Sequence, residues 1–449
     1  MFARCRTLLL VFYAGIAISA WAQPPVNPRP FHLEELHTPP GFDVTVYASL
    51  SGGPRLMTFG PGGVLYVALR DAGVIAAVPA PNQSVTVLRQ LNHPHSVAFR
   101  GNDLYVAVDN AVLRFRDAVT ADLVVRSAPE RLVSLPAGGQ HTSRTAAIGP
   151  DDQLYITAGS TCNFCRENDP RRGAMMRYDP DGTSGGVIAT GMRNSVDFAW
   201  HPLTGELWAL DNGGDGLGND EPPEEINVVA PGFDYGWPDC VGSQRPIDWG
   251  QGLQAARCLN TQAPEQQMQA HSAPLGISFY TGTQFPASYL NDAFVSFHGS
   301  WNRDEPTGFK VVRVHAASGR ATGVEDFLWG FLDLGSRTYS GRPVDPVVGP
   351  DGALYISDDA RGNIYRVQYS GPRIDPGSIV DRGDGVFALS GANLVNDPAA
   401  LVVTANGAPC QVLSATASQI DFSLPDGLAG DITISVQNEK ASDSAYLSR

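Results

Sequence analysis

The hydrophobic pattern of the chain is a repeat of short apolar strands joined by turns of Gly, Pro and Asp. The clearest copies span 59–67, 148–156 and 348–356, weaker ones start at 99 and 200, and the apolar run 293–297 supplies a sixth. In each copy an apolar strand meets the turn and returns as a strand rich in Tyr, Val and Ile, which is typical of a β-hairpin. Hairpin repeats of about 40–50 residues predict propeller blades. We therefore predict an all-β fold with a six-bladed β-propeller over 39–369, which the strand-like run 42–47 is available to close.

A second pattern begins at about residue 370. Short strands such as 400–403 and 431–436 alternate with Gly, Asn and Asp turns, and Trp is absent. This favours a small immunoglobulin-like β-sandwich over 370–449, read as an accessory module because no catalytic cluster falls in it. Residues 23–38 are rich in Pro without periodicity and predict a linker.

The start of the chain predicts export. Arg4 and Arg6 precede an apolar run from 8 to 18, and Ala20-Trp21-Ala22 suits a cleavage site, so we expect a signal peptide over 1–22 and a secreted or periplasmic protein. No later stretch is long and apolar enough to predict a transmembrane segment. The formal net charge of −15 argues against binding nucleic acid and favours binding cations.

Cysteine spacing is compatible with an oxidising compartment. Cys240 and Cys258 bracket a loop that a disulfide could close. Cys162 and Cys165 form a single CxxC, for which a short-range structural disulfide is favoured over a redox-active pair. The lack of a second CxxC and of a His after Cys165 argues against a zinc knuckle and covalent haem. Cys410 is left over and is expected to be buried.

The stretch 191–238 combines groups for two kinds of ligand. Arg193 and Asn194 suit an anionic organic molecule through charge-assisted hydrogen bonds. The acidic, glycine-containing loop that follows, from 211 to 225, suits a hard cation such as calcium. The pattern therefore predicts a metal beside an anionic cofactor, and the alternative is a loop that is acidic only for solubility.

Polar residues on other loops point to the same face of the predicted propeller. His141 precedes the turn of the third blade and is a candidate general base, because its ordinary pKa lies near neutrality. The alternative is an ordinary loop histidine. His298 and Arg303 on the fifth blade and Arg342 before the sixth occupy matching loops. Together with Arg193 these residues favour one shared anionic ligand.

The motifs at 141–144, 191–194, 224–227 and 235–238, taken together, resemble the soluble quinoprotein sugar dehydrogenases. This family comprises the glucose/sorbosone and pyranose dehydrogenases, six-bladed propellers that bind pyrroloquinoline quinone (PQQ) and calcium. The runs 298–303 and 162–165 look closest to the sorbosone dehydrogenase branch. The resemblance covers about 38–369 and leaves the tail outside.

The resemblance implies a role for each matching position. His141 would be the base. Arg193 and Asn194 would hold the cofactor, with Arg342 near its anionic groups, and His298 or Arg303 would replace a lysine of the glucose enzymes. The carbonyls of Gly213 and Gly214 would ligate one calcium, and Glu225 with the backbone of Tyr235 would ligate a second calcium. The chain departs from the glucose enzymes at Gly214, where they have Pro, and by an insertion up to Pro222.

The activity implied is oxidation of a sugar, or a related polyol or aldehyde, by hydride transfer to PQQ, with a separate electron acceptor. Two alternatives stay open from the residues: a calcium-dependent propeller lactonase or other hydrolase, and a non-catalytic carbohydrate-binding propeller.

Overall fold

Six four-stranded antiparallel sheets follow one another along most of the chain. The computed structural model describes residues 26–447. The signal peptide predicted for 1–22 lies outside this range. Within it the prediction of an all-β protein is confirmed, since the α-helix is confined to Ala255–Cys258 among the described residues.

The sheets are numbered here in chain order, with the strands of each given in order of pairing. Sheet 1 contains Pro54–Phe59, Leu65–Leu69, Val74–Ala80 and Gln83–Leu88. Sheet 2 contains Ser96–Arg100, Asp103–Val108, Ala111–Phe115 and Glu130–Ser134. Sheet 3 contains Arg144–Ile148, Leu154–Ala158, Ala174–Tyr178 and Gly185–Thr190. Sheet 4 contains Phe198–Trp200, Leu207–Asp211, Glu224–Val229 and Gln266–Met268. Sheet 5 contains Pro274–Phe279, Ala293–Phe297, Lys310–His315 and Gly323–Leu328. Sheet 6 contains Pro343–Val348, Leu354–Asp358, Asn363–Tyr369 and Phe42–Ser49.

The first strands of the sheets surround one central cavity of about 260 Å³. All six sheets contribute to its wall, for example through Met57, Val97, Ala146, Phe198, Ile277 and Val347. Sheets arranged about one axis in this way form a β-propeller, as the hairpin repeat predicts. Sheet 6 takes its outer strand from the N-terminal side of the chain, with Phe42 opposite Tyr369.

The contacts within each turn explain why the Gly-Pro-Asp sequence recurs before a strand that carries Tyr. In the third and sixth sheets the turn aspartates Asp151 and Asp351 accept hydrogen bonds from the hydroxyls of Tyr155 and Tyr355, at 2.9 and 3.1 Å. A Cβ atom at Gly349 would lie 2.4 Å from the Tyr355 ring, so this position has no room for a side chain. The turn residues and the Tyr of the returning strand therefore form one unit.

The first and second strands of each sheet define two ends of the propeller. We call the end at which the second strands finish the site end, because the cavities described below lie there. Asn363–Tyr369 runs away from this end, so the chain leaves sheet 6 at the opposite end.

The segment predicted as a linker packs against the propeller where it is described. Asn27–Pro28 pairs in parallel with Thr338–Tyr339, which also pairs with Leu332–Asp333. The Phe31 ring lies 5.5 Å from that of Tyr365, and Leu33–Glu35 forms a 3₁₀ turn. This part of the chain thus differs from a free linker. Other short elements are Pro61–Gly63, Ala287–Tyr289, Pro398–Ala400, and Cys240–Val241 paired with Arg245–Pro246.

The C-terminal residues form two further sheets that enclose their own core. One contains Arg373–Ile374, Val380–Gly383, Val386–Ala392, Gln411–Ala415 and Gln419–Ser423, and the other Val402–Ala405, Ala408–Pro409, Ile432–Gln437 and Ser442–Leu447. Alternate residues face inward, such as Phe387 and Phe422 from the first sheet and Ile432 and Ile434 from the second. Lys440 pairs with Asp43 of the propeller at 3.0 Å.

Both predicted disulfides are present, between Cys162 and Cys165 and between Cys240 and Cys258. Cys410 is a free thiol and is half-buried, whereas we expected it to be buried. In the described range, 26–447, none of the helices has the length and apolar character needed to cross a membrane.

Candidate functional site

A cavity of about 290 Å³ opens at the site end, between sheets 3, 4 and 5. In these antiparallel sheets the first strand starts, and the second and fourth strands finish, at the site end. The loops before first strands and after second or fourth strands of sheets 3, 4 and 5 therefore bring their polar residues to this cavity. The wall is formed by Gln140, His141, Arg193, Asn194, Asn212, Gly213, Asp215, Glu224, His271, Ala273, Trp301 and Asn302. The structure thus brings together three of the predicted residues, His141, Arg193 and Asn194, with Gly213 beside them.

His141 is held in one tautomer by a short chain of hydrogen bonds. Its Nδ1 lies 2.8 Å from Ser160 Oγ, and Ser160 Oγ lies 2.7 Å from the Cys162 carbonyl oxygen. Because a carbonyl only accepts, the single hydroxyl proton of Ser160 is used there, and Ser160 must accept from Nδ1–H. Nε2 is then the nitrogen with the free lone pair.

The surroundings also keep this imidazole neutral. Burial, followed by the charges of Arg193, Arg144 and Arg172, lowers the pKa of His141 to about 3. A neutral ring with a free Nε2 lone pair is a proton acceptor across the ordinary pH range. His141 therefore lines the cavity with a neutral ring, and its role as a general base stays a prediction.

Arg193 is buried and almost fully committed to fixed acceptors. It donates to the Asn163 carbonyl and Asn163 Oδ1, to the Asn212 carbonyl, and to Asp215 Oδ2, at 2.9–3.2 Å. A guanidinium carries five N–H groups, so one remains for a molecule in the cavity. The side chain of Asn194 has its Oδ1 buried without a partner among residues 26–447.

Asn163 connects several parts of the site from within the Cys162–Cys165 disulfide ring. Its side chain accepts from Arg193 and from Asp215 N and donates to the Asp215 carbonyl at 2.8 Å. Its carbonyl accepts from Trp237 Nε1 at 2.9 Å. The neighbouring Phe164 ring would lie 2.0 Å from a Cβ at Gly214, so only glycine fits there. The disulfide ring therefore fixes the loop that carries Gly214 and Asp215.

A second, very small cavity of about 20 Å³ lies beside the first. Gly213, Gly214, Glu225 and Tyr235 all line it, together with Asp211. The sequence had assigned these glycines and Glu225 to two different calcium positions, and the structure gathers them around one space. A cavity of this size accommodates about one water or ion.

The carboxylates here are in an environment that disfavours their charge. Burial, followed by the charge of Asp211, raises the pKa of Glu225 to about 8. Burial also raises the pKa of Asp211 and of Glu224 to about 7 each. A cation among them would favour the ionised forms, and carboxylates with backbone carbonyls are the ligands that calcium prefers.

Three predicted cofactor residues lie around the larger cavity without lining it. Arg342 donates to the His298 and Gly299 carbonyls at 3.1 and 3.0 Å, beneath the Phe309 and Tyr339 rings. Arg303 pairs with Asp220 at 2.8 Å and so joins two loops of the cavity rim. His298 Nε2 lies 2.8 Å from Asp359 Oδ1. Their cofactor-binding roles stay predictions.

Several residues of the site were not identified from the sequence. Ser160 and Asn163 contribute through hydrogen bonds that their sequence motifs do not predict. His271 has its Nε2 2.7 Å from the Gly218 carbonyl oxygen and lies on a loop without a recognisable sequence pattern. Trp301 is 70% exposed and lines the cavity. The signal available for it in the sequence was its place in the polar run 298–303.

The fold and the polar cavity place this chain among the β-propeller proteins that have a cavity for a ligand at one end of the central channel. The chain belongs to the TrAA12-like family, whose model matches residues 36–370. Residues 373–448 match the model of the IPT/TIG domain. The immunoglobulin-like character expected for the tail is in agreement with this match.

Two proteins illustrate the sequence similarity. An uncharacterised protein of Borreliella burgdorferi is 29% identical over 350 residues, covering 74% of this chain and 91% of that protein. A pyrroloquinoline quinone-dependent sugar dehydrogenase of Hypocrea jecorina is 26% identical over 290 residues, covering 53% of this chain and 65% of the relative. The match therefore spans slightly less than two thirds of the Hypocrea protein.

Solved structures share the fold. A calcium structure of a Trichoderma reesei protein of carbohydrate-active enzyme family AA12 superposes with a TM-score of 0.66 at 22% identity, covering 74% of this chain and 97% of that one. The holo form of the pyranose dehydrogenase PQQ domain from Coprinopsis cinerea gives 0.64 at 21% identity, covering 76% and 98%. The sorbosone branch is not among these similarities.

Proposed function

We propose that this chain is a quinoprotein oxidoreductase that oxidises a hydroxyl or aldehyde group of a sugar with PQQ as its cofactor. The observation that carries the proposal is the neutral His141, held by Ser160 with Nε2 free, beside Arg193 and Asn194 in one cavity. Membership of the TrAA12-like family and the PQQ-dependent relative support it. They favour it over a calcium-dependent lactonase or a non-catalytic carbohydrate-binding propeller.

The residues present fit such a cofactor. The cavity of about 290 Å³ is close to the lower end of ligand pockets, which span about 300–1,000 Å³. The remaining N–H of Arg193 offers a donor to a planar anion, and Trp301 offers a face. PQQ, when bound, would serve as the hydride acceptor, which protein side chains cannot do.

We propose calcium as the occupant of the small cavity beside it. Asp211 and Glu225 with the backbone of Gly213, Gly214 and Tyr235 would hold the ion. Arg193, Asn212 and Gly213 line both cavities, so an ion held in the small one would lie directly beside a cofactor in the larger one.

The chain's own residues then divide the chemistry. His141 Nε2 would take the proton of the substrate hydroxyl, and Ser160 would keep the ring in the tautomer that makes this possible. Arg193 is immobilised by Asn163 and Asp215, so it would orient an anionic cofactor without rearranging. A separate electron acceptor would reoxidise the protein. Export to a secreted or periplasmic location agrees with the two disulfides.

The experiment that tests the function is reconstitution. The purified chain is mixed with PQQ and calcium, and a visible spectrum is taken before and after adding glucose, with a soluble dye as electron acceptor. We expect a sugar-dependent spectral change and dye reduction. A chain that binds no quinone, or binds it and reduces no dye with a panel of neutral sugars, would contradict the proposal.

Ser160 provides a sharper test of the base. Ser160→Ala removes the acceptor for Nδ1–H, so the tautomer is no longer fixed, and kcat should fall about tenfold, the equivalent of one hydrogen bond. Ser160→Thr keeps the hydroxyl and should retain most of the activity. Spectral titration with PQQ should give similar affinities for both variants. Equal kcat values for the alanine and threonine variants would show that Ser160 only fills space.

We further propose that the six sheets are six blades of one closed ring over 39–369 and that 370–449 is a separate domain. The tail leaves the propeller at the end remote from the cavity, because Asn363–Tyr369 runs away from the site end. A chain ended at Ser370 should therefore fold, bind quinone and keep kcat and KM within about threefold of the full chain. A tenfold change in KM with folding intact would show that the tail completes the substrate pocket.

A further inference from the structure

A separate cavity of about 150 Å³ lies at the same site end, at sheets 1, 3 and 6. It is lined by Gly53, Arg55, Arg70, Asp71, Ser143 and Asp359. None of these lines the larger cavity, and all except the glycine carry hydrogen-bonding side chains. A cavity made only of such groups does not suit an apolar ligand.

The floor of this cavity is a fixed polar network. Arg55 Nη1 lies 2.7 Å from Asp359 Oδ2, and Arg55 Nη2 lies 3.2 Å from His95 Nε2. Asp359 Oδ1 lies 2.8 Å from His298 Nε2. The Arg55 and Asp359 side chains are only 10% and 20% exposed. A buried ion pair adds little net stability over apolar residues, so this pair holds two polar groups in fixed positions rather than strengthening the fold.

The rim keeps donors and space available. Arg70 donates to Asp71 Oδ1 at 3.2 Å and to Thr142 Oγ1 at 3.1 Å, which leaves three of its five N–H groups. Gly53 has a positive φ of 67°, and a Cβ there would lie 2.8 Å from Asp71 Oδ2. A side chain at position 53 would therefore collide with the Asp71 carboxylate, which occupies this corner of the cavity.

The two cavities share one segment of chain. His141 lines the larger cavity, Ser143 lines this one, and Thr142 between them is held by Arg70. Two residues apart, the Cα atoms of His141 and Ser143 are at most about 7.6 Å from each other. The two cavities are therefore bordered by residues of one short loop.

We propose that this second cavity is a subsite for the neighbouring sugar unit of an oligosaccharide whose other unit is oxidised beside His141. The inference rests on the proposed function. Two arginines and two aspartates balance in charge, so the cavity suits neutral hydroxyl groups, for which Arg and Asp supply donors and acceptors in fixed positions. An acidic sugar would find each cation already paired with a carboxylate.

Kinetics with matched substrates test the subsite. Wild-type kcat/KM should be higher for cellobiose or maltose than for glucose, and Arg70→Ala should lower it about tenfold for the disaccharides and leave glucose unchanged. Arg100→Ala is the matched control, because Arg100 pairs with Asp152 at the opposite end of the propeller. Thr142→Val removes the bond between Thr142 and Arg70 but keeps the guanidinium, and it should retain the disaccharide preference.

Binding without cofactor separates this inference from the proposed function. By calorimetry, cellobiose should bind the wild-type chain about tenfold more tightly than Arg70→Ala, and glucose should show no such difference. Equal cellobiose affinities would overturn the subsite even if sugars are oxidised. Failure of sugar oxidation, with cellobiose still dependent on Arg70, would overturn the proposed function alone. A preference for glucuronic acid that Arg70→Ala abolishes would overturn the assignment of the subsite to neutral sugars. A Thr142→Val variant that behaves like Arg70→Ala would also overturn it, because the effect would then come from the bond to Thr142 and not from the guanidinium.

Discussion

Replacing His141 with alanine should lower turnover about 10²–10⁴-fold and leave quinone affinity within a few-fold. The reason is that proton transfer by a positioned base contributes about this factor to a reaction rate, whereas Arg193 and Asn194, which would hold the cofactor, are unchanged. Dye-reduction kinetics measure the first quantity and spectral titration with PQQ the second. His93→Ala, on an exposed histidine with a bond only to its neighbour Asn92, is the matched control.

The pH dependence gives a second readout of the same residue. A base works when it is deprotonated, and burial with nearby arginines lowers the pKa of His141 to about 3. The free enzyme should therefore show no loss of kcat/KM on the acid side near pH 6.5, where an ordinary histidine would take up its proton. Near-normal turnover in His141→Ala would refute the role of His141 as the base. A loss of kcat/KM below pH 6.5 that disappears in His141→Ala would refute the lowered pKa of His141.

Removing calcium should abolish quinone binding and lower the melting temperature of the propeller. An ion present at about 100 times its Kd stabilises the folded state by ~2.7 kcal/mol, which for a large domain corresponds to several degrees. Melting curves with calcium and with a chelator measure the effect. Glu225→Gln keeps the shape of the small cavity but removes one charge, so it should weaken calcium binding; Glu221→Gln, an exposed change in the same loop, should not.

The size of this effect should depend on pH with a definite sign. Burial raises the pKa of Glu225 to about 8 and that of Asp211 to about 7. Without an ion, the stability that goes with the protonated carboxyl groups is fully present only below their unfolded-state pKa values of about 4, and it is lost progressively as the pH rises through the raised folded-state values of about 7 and 8. The melting temperature gained from calcium should therefore be larger at pH 8 than at pH 6. Identical melting curves with and without the ion at both pH values would rule out a calcium site.

The repeat of hairpins and the two disulfides were predictable because their determinants are local. A Gly-Pro-Asp turn followed by Tyr specifies its own geometry through contacts a few residues apart, as Asp351 and Tyr355 show. Cys162 and Cys165, and Cys240 and Cys258, lie close enough along the chain that few other pairings compete. His141, Arg193 and Asn194 were likewise identified from short motifs.

Contacts between distant loops could be decided only by the tertiary structure. Ser160 sets the tautomer of His141, and Asn163 clamps Arg193, because the ends of neighbouring strands bring segments 19 to 30 residues apart into contact. Gly214, Glu225 and Tyr235 share one cavity for the same reason.

The partners of Arg342 were likewise decided by the tertiary structure. Its position along the repeat matched the other polar loops, and the structure shows that its side chain lies beneath the Phe309 and Tyr339 rings and donates to the Gly299 carbonyl, while its cofactor-binding role stays a prediction. The sequence by itself determined the all-β class, the hairpin repeat and the disulfides, since turn chemistry, alternation and short cysteine spacings act over a few residues. The arrangement of the loops around the propeller axis decided which side chains meet, because the distances between side chains on different loops depend on how the sheets pack together.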